Sequence, residues 1–421
     1  MWLLLALVAQ TAAIDATLAQ RYFAEAEALS KQDGGKLWGV TLYGPMLLVD
    51  ASSGVAVANQ ADAEGKLVRQ GAVFVGSVPN DFPSANTATR WAGVAWTMIL
   101  WPLPLDRTER GALMVHELFH RVQDQLGFAG GNPANAHLDT LEGRFLLQLE
   151  WRALRAALTS TGDSQQAALE DALVFRARRR ELYPKAADEE RSLEHNEGLA
   201  EYTGFKVGIA DEAPARDLMV RRLNGAHLRP TFVRSFAYET GPAYGLLLDQ
   251  CDPEWRTRLG TAADFLDILQ AALGIELPDD LAGAVASRAE RYDGHALRGT
   301  EQERDRTRQA QLAAYRATLV TGAVLELPPS AAMQYSFDPN ELLPMDDLGT
   351  VYPHIQITDD WGSLAAQRGA LLSADRKQLF VAAPRDPGQL GASANGWTMS
   401  LAPGWQLVPG PRPGDLRAAR Q

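Results

Sequence analysis

A chain of 421 residues with 46% hydrophobic and 22% charged side chains has the composition of a globular protein with room for two or three domains. Its formal charge of -12 argues against nucleic acid or an anionic membrane as the main partner, because phosphate binding needs clustered Lys and Arg. Cys251 is the only cysteine, which excludes an intrachain disulfide and a cysteine-based zinc site.

Residues Met1 to Ala13 form a short apolar run followed by small residues, the pattern of a secretory signal without its basic start. The run is too short to span a bilayer, so no stable membrane span is expected. Export to the periplasm or medium is the expected localisation, the alternative being the first turn of a buried helix. Ala16 to Leu29 then has helical spacing. Short runs rich in Val, Leu and aromatics follow at Lys36–Tyr43, Met46–Asp50, Gly54–Ala58, Leu67–Gly71 and Val73–Val78. Gly and Pro punctuate them, which predicts an N-terminal antiparallel β-sheet. Trp91 to Trp101 alternates like a further strand, either an edge that takes an extended substrate or a core strand whose tryptophans simply pack.

The stretch from Asp106 to Gly127 reads as one helix. Asp106 and Glu109 have capping-box spacing, Gly127 suits a left-handed cap, and Ala112, Val115, Phe119, Val122 and Leu126 recur at threes and fours. His116 and His120 stack one turn apart on a neighbouring face, where two imidazoles can converge on one cation, with Glu117 beside them. A catalytic zinc takes three protein ligands and keeps its fourth position for water, and Glu117 is placed to take a proton from that water. The plain alternative is an amphipathic helix with two surface histidines.

Two amphipathic helices are predicted at His137–Leu158 and Gln166–Tyr183, the second stopped by Pro184. The basic run Arg176–Arg180 reads as a solvated helix face near Glu189 and Glu190. A helix over Asp188–Val207 carries Glu194, Glu197 and Glu201 on one face, and such a row of like charges calls for a nearby cation. Phe236 to Asp249 reads as a loop with a Gly241-Pro242 turn running into a helix. Helical patterns continue at Thr261–Leu273 and Asp279–Arg291. A charged stretch, Thr300–Tyr315, precedes a small β region with a Pro-rich tail at Pro409–Pro413. The expected organisation is α+β: a leader at 1–13, a β-rich part at 14–105, a mainly helical core at 106–300, and a linker with a small β domain at 301–421.

His116-Glu117-Leu118-Phe119-His120, followed by Asn196-Glu197-Gly198-Leu199-Ala200-Glu201-Tyr202, resembles the gluzincin metallopeptidases, the thermolysin and aminopeptidase N group. The resemblance covers two short motifs. It implies a zincin-like core that binds zinc and hydrolyses peptide bonds in a peptide or protein substrate. Glu197 would be the third zinc ligand, Glu201 would accept a hydrogen bond from a ligand histidine, and Asn196 and Tyr202 would support them. The 76 residues between His120 and Glu197 exceed the aminopeptidase pattern, so an inserted helix or two is expected. Glu142, 22 residues after His120, is the rival ligand, or else a supporting group or the partner of an arginine. Glu197 is preferred for its Asn-Glu-Gly-Leu-Ala context. Tyr238 is the expected donor to the oxyanion, with Tyr244 and His227 as alternatives. The Gly-x-Met-Glu-Asn sequence of aminopeptidases is replaced by Gly93-Val94-Ala95-Trp96-Thr97, which favours endopeptidase or oligopeptidase action. The competing readings are a peptide-binding scaffold without catalysis and a zinc hydrolase acting on a non-peptide bond.

Overall fold

The computed structural model describes residues 14–421 except 80, 81, 84, 129, 261, 262, 339, 340 and 385–395. The leader at 1–13 lies outside the described residues. The chain is mixed α and β and divides into two compact units, residues 1–295 and 296–421. Among the described residues no helix is long and apolar enough to cross a membrane.

The first unit opens with helix α1 (Ala16–Asp33) and a six-stranded sheet of β1 (Met46–Val49), β2 (Val55–Ala58), β3 (Val68–Gln70), β4 (Val73–Ser77), β5 (Thr87–Trp91) and β6 (Val94–Leu100). The strand order is β3-β4-β2-β1-β6-β5, and β1 pairs with β6 in parallel, so the expected all-antiparallel sheet is corrected to a mixed one. The reason is in β1 itself. All four of its residues are buried, and a strand apolar on both faces belongs at the centre of a sheet, whereas a simple meander would leave it at an edge. Lys36–Tyr43 is not a strand: Gly34, Gly35 and Gly39 all take positive φ and turn the chain there. The strand expected over Trp91–Trp101 is present as β6 but begins only at Val94; Trp91 ends β5, and a tight turn at Ala92 and Gly93, both at positive φ, joins the two. Trp96 is buried on β6, which lies inside the sheet between β1 and β5, and donates to the Trp91 carbonyl at 3.0 Å; the edges are β3 and β5.

Helix α2 (Arg107–Gln123) follows, its first turn capped by Asp106, which accepts from the Glu109 N–H at 2.9 Å. A 3₁₀ turn carries it to Gly127, which takes the left-handed cap. The remaining helices of the unit are α3 (Leu141–Leu158), α4 (Asp163–Leu182), α5 (Ala186–Leu193), α6 (Leu199–Gly208), α7 (Glu212–Gly225), α8 (Ala237–Cys251), α9 (Phe265–Leu273) and α10 (Leu281–Arg288). Between α5 and α6 the chain stays helical but widens into a π-helical turn, Glu194–Gly198. The expected Gly241-Pro242 turn lies inside α8. Proline removes one ladder donor, and the Tyr238 carbonyl that would have received it accepts from Arg222 at 3.1 Å instead.

Helix α2 is buried on nearly every side, between β5 and β6 and helix α6. The α2–α6 crossing is backbone to backbone. A Cβ at Gly204 would stand 2.5 Å from the Ala112 carbonyl oxygen, and one at Gly208 would stand 2.7 Å from the Ala112 Cα.

The second unit contains most of helix α11 (Gly294–Arg316), which includes the charged stretch expected to be a linker. Its strands are β7 (Val324–Leu327), β8 (Gln334–Phe337), β9 (Leu343–Pro344), β10 (Gly349–Tyr352), β11 (Ile355–Asp359), β12 (Gly362–Ala366), β13 (Ala370–Ser373), β14 (Leu379–Ala382), β15 (Trp397–Leu401), β16 (Trp405–Pro409) and β17 (Leu416–Arg420). They form sheets ordered β16-β17-β7-β14-β13-β10-β9 and β15-β12-β11-β8, which share a core of Leu325, Leu372, Val381, Ile357, Leu364, Trp361 and Trp397. The Pro-rich stretch is not a tail: it connects β16 to β17, whose Leu416 and Arg417 pair in parallel with β7.

Because backbone atoms cannot move aside as a side chain can, Gly208→Val is expected to lose about 1–3 kcal/mol of stability through overpacking. Urea unfolding of the full chain measures it, and a midpoint equal to wild type contradicts the α2–α6 contact.

Candidate metal centre

The close α2–α6 crossing brings the two sequence motifs face to face. His116 and His120 lie one turn apart on α2, with Nε2 atoms 3.0 Å from each other. Each Nε2 is 3.5 Å from Glu197 Oε2, on the π-helical turn. Among the described residues this is the one group of three metal-ligating side chains with convergent ligand atoms, all within 4.8 Å. Four ligands held tetrahedrally about 2.0–2.1 Å from one zinc ion lie roughly 3.3 Å from one another. A triangle of 3.0, 3.5 and 3.5 Å therefore fits that ion without rearrangement.

The outer nitrogens are committed. His116 Nδ1 is 2.6 Å from Glu201 Oε2, and His120 Nδ1 is 2.7 Å from Gln123 Oε1. With both Nδ1 atoms engaged by acceptors, each Nε2 presents its lone pair to the shared space. Glu201 is in turn paired with Arg222, which also lies 3.3 Å from Glu239. Burial alone would raise the Glu201 carboxyl, but Arg222 and His116 outweigh it and hold it down at about 2. Burial alone would depress His116, yet hydrogen bonds to Glu197 and Glu201 push it up to about 10. Glu197 and Glu201 thus favour positive charge at this point of the cleft.

Glu117 lines the same cleft, of about 570 Å³, and is 5% exposed. Its Oε2 is buried with no hydrogen-bond partner among the described residues. Burial raises the carboxyl, with His116 and His120 pulling it back. A buried carboxylate oxygen without a donor is costly unless a proton or a cation completes it.

Tyr238, in the first turn of α8, stacks on His116 with ring centres 5.7 Å apart and donates to Glu197 Oε2 at 2.7 Å. It is placed there by a second close approach, where a Cβ on Gly198 would stand 3.2 Å from the Gly241 Cα. Asn196 lines the cleft, its amide 3.4 Å from Glu197 Oε1, and Arg234 stands half exposed at 3.7 Å from the same oxygen. The free edge strand β5 contributes Thr87 to the wall, beside Ala85 and Asn86.

The other expected residues are elsewhere. Glu142 is in the first turn of α3, outside the ligand group. Tyr244 is wholly buried and donates to Glu150 at 2.8 Å. His227 is exposed in a 3₁₀ turn. Tyr202 is buried and donates to Asp249 at 2.9 Å, not to the histidines.

The expected row of three like charges on one helical face is broken up. Glu197 faces the histidines and Glu201 pairs with Arg222, while Glu194 turns inward to Arg176. This overturns the solvated reading of Arg176–Arg180, since Arg176 and Arg179 are fully buried. Arg176 donates to Glu150 at 3.1 Å and Glu194 at 2.9 Å, and Arg179 donates to Glu150 and Glu190, each at 2.6 Å. Thr240 of α8 donates to Glu194 at 2.6 Å. Helices α3 and α4 thus supply charges that anchor the π-helical turn from behind. The local signal is Glu150, an acid between Leu149 and Trp151 on α3; Arg179, between Arg178 and Arg180, carries none.

Comparison of the chain with protein-family models, with curated proteins and with solved structures gives no match.

Replacing Arg176 by Met leaves Glu150 and Glu194 buried without their shared cation, and should cost about 3–5 kcal/mol. Thermal unfolding reads the loss; a change within about 0.5 kcal/mol, typical of a surface site, contradicts the buried network.

Proposed function

We propose that the chain is a zinc-dependent hydrolase of peptide bonds, with a zincin-like core of gluzincin type in its first unit. The observation that carries this is the triangle of His116 Nε2, His120 Nε2 and Glu197 Oε2, with edges that suit one tetrahedral ion and with both outer imidazole nitrogens engaged. Bound there, zinc would supply Lewis-acid polarisation of the scissile carbonyl and a water whose pKa is lowered to about 7.

The chain's own residues do the rest. Glu117, raised by burial and facing the cleft, takes the proton from the attacking water and returns it to the leaving nitrogen. Glu201 holds His116 in the tautomer that leaves Nε2 free, and Arg222 keeps Glu201 ionised. Tyr238 lines the cleft with its hydroxyl on Glu197, and by turning that donor to the developing oxyanion it would contribute about 3 kcal/mol, as in such sites. The unpaired edge of β5 beside the cleft suits an extended peptide adding as a further strand, which favours endopeptidase or oligopeptidase action. An exported protein is the setting the leader favours.

Elemental analysis of purified protein, paired with a mixed quenched-peptide library, tests the reading. Wild type is expected to hold about one zinc and to cut peptides; Glu197→Ala should lose the metal and Glu142→Ala should keep it. Glu117→Gln should keep the zinc and lose about 10²–10⁴-fold in cleavage rate. Zinc without turnover of any peptide would shift the reading to a binding scaffold or a non-peptide bond. Wild type without metal would sink it.

A further inference from the structure

The metal reading leaves one question of construction open: what sets the distance between His120 on α2 and Glu197 on a different helical segment. The π-helical turn is the weak point. Across it the Leu199 N–H reaches back five residues to the Glu194 carbonyl, so the His195 carbonyl loses the donor that an α-helix would give it. Such wide turns are rare and persist where neighbouring groups hold them.

Gln123, the last residue of α2 and 4% exposed, supplies the missing donor. Its Nε2 lies 2.8 Å from the His195 carbonyl, 3.0 Å from the Asn196 carbonyl and 3.1 Å from the Phe128 carbonyl. Three carbonyl neighbours identify that atom as the amide nitrogen, since an oxygen there would face only acceptors. The other end is therefore Oε1, and it accepts from His120 Nδ1 at 2.7 Å. His120 must then carry a hydrogen on Nδ1, and the neutral ring that a metal ion would need has its lone pair on Nε2, toward Glu197. One amide thus does two things: it sets the tautomer of one ligand and ties down the backbone next to another.

We propose that Gln123 is the positioning residue that couples the two metal-bearing segments, holding the π-helical turn against α2 so that Glu197 meets His116 and His120 at ligating distance. This inference rests on the metal reading above. Gln123 sits seven residues after His116 and three after His120, so all three share one face of α2. A purely local role, closing α2 onto Phe128, would need neither the His195 and Asn196 carbonyls nor His120.

The test uses the full chain with Gln123→Met, which removes donor and acceptor together, and Gln123→Asn, which keeps the amide but shortens its reach. Zinc affinity is measured by chelator competition, and amide exchange over residues 194–202 is measured in metal-free protein. Both variants should bind zinc about 10–100-fold more weakly than wild type. Both should also exchange faster over that segment before any metal is added. Wild-type affinity in either folded variant overturns the proposal, and so does weakened affinity with unchanged exchange, which would confine Gln123 to orienting His120. Should Gln123→Met fail to fold, Gln123→Asn decides by the same two readouts. A wild type that binds no zinc counts against the metal reading, while exchange in the metal-free protein still reports on the clamp.

Discussion

Two helices touch backbone to backbone where Gly111 and Ala112 of α2 face Gly204 and Gly208 of α6, and the rest of the first unit is arranged around that contact. Ordinary helix pairs stand 8–10 Å apart because side chains separate them. Removing the side chains at the crossing lets α2 approach α6 closely, and His116 and His120, one and two turns further along α2, then reach Glu197 on the π-helical turn and Glu201 in the first turn of α6. The same device recurs at Gly198 and Gly241, where it sets Tyr238 of α8 beside Glu197. The candidate centre is therefore a product of helix spacing before it is a product of its polar residues.

Behind this centre lies a second constraint of the opposite kind. Glu150, Arg176, Arg179, Glu190 and Glu194 are all fully buried, and taking so many charges out of water is expensive unless each is paired. A buried ion network is weak as a source of stability, but it tolerates few geometries. Here each pairing joins a different segment: Glu150 from α3, two arginines from α4, Glu190 from α5 and Glu194 from the π-helical turn. Thr240 and Tyr244 extend it to α8. Ionic pairing holds the turn from one side and amide hydrogen bonds from Gln123 hold it from the other, so the segment that carries Glu197 is tied to its neighbours on both sides.

Local rules made part of this architecture legible. Asp106 and Glu109 mark the start of α2, Gly127 marks its end, and His116 and His120 at four-residue spacing necessarily share a face. What escaped the sequence depends on partners distant along the chain. The π-helical turn has no local signature, because its cause is the surrounding network, and a regular helix drawn through Glu194, Glu197 and Glu201 puts all three on one face when they in fact point three ways. Arg176 and Arg179 looked solvated because arginine is seldom buried, and only carboxylates from other helices make it possible. Pro242 looked like a turn because its tolerance inside α8 depends on Arg222 filling the gap it leaves. The parallel pairing of β1 with β6 joins strands separated by more than forty residues, beyond the reach of any periodicity.

In the proposed centre one divalent ion is held by two imidazoles from α2 and one carboxylate from the π-helical turn. X-ray absorption at the zinc edge, on full-length protein loaded with one equivalent of zinc, tests it most directly. The expected spectrum shows two nitrogen ligands at about 2.0–2.1 Å and low-atomic-number oxygen ligands at about 2.0–2.2 Å, with the two-imidazole signature lost in His116→Ala. A spectrum that His116→Ala leaves unchanged, or one with a sulfur shell near 2.3 Å from Cys251, would place the metal elsewhere and contradict it.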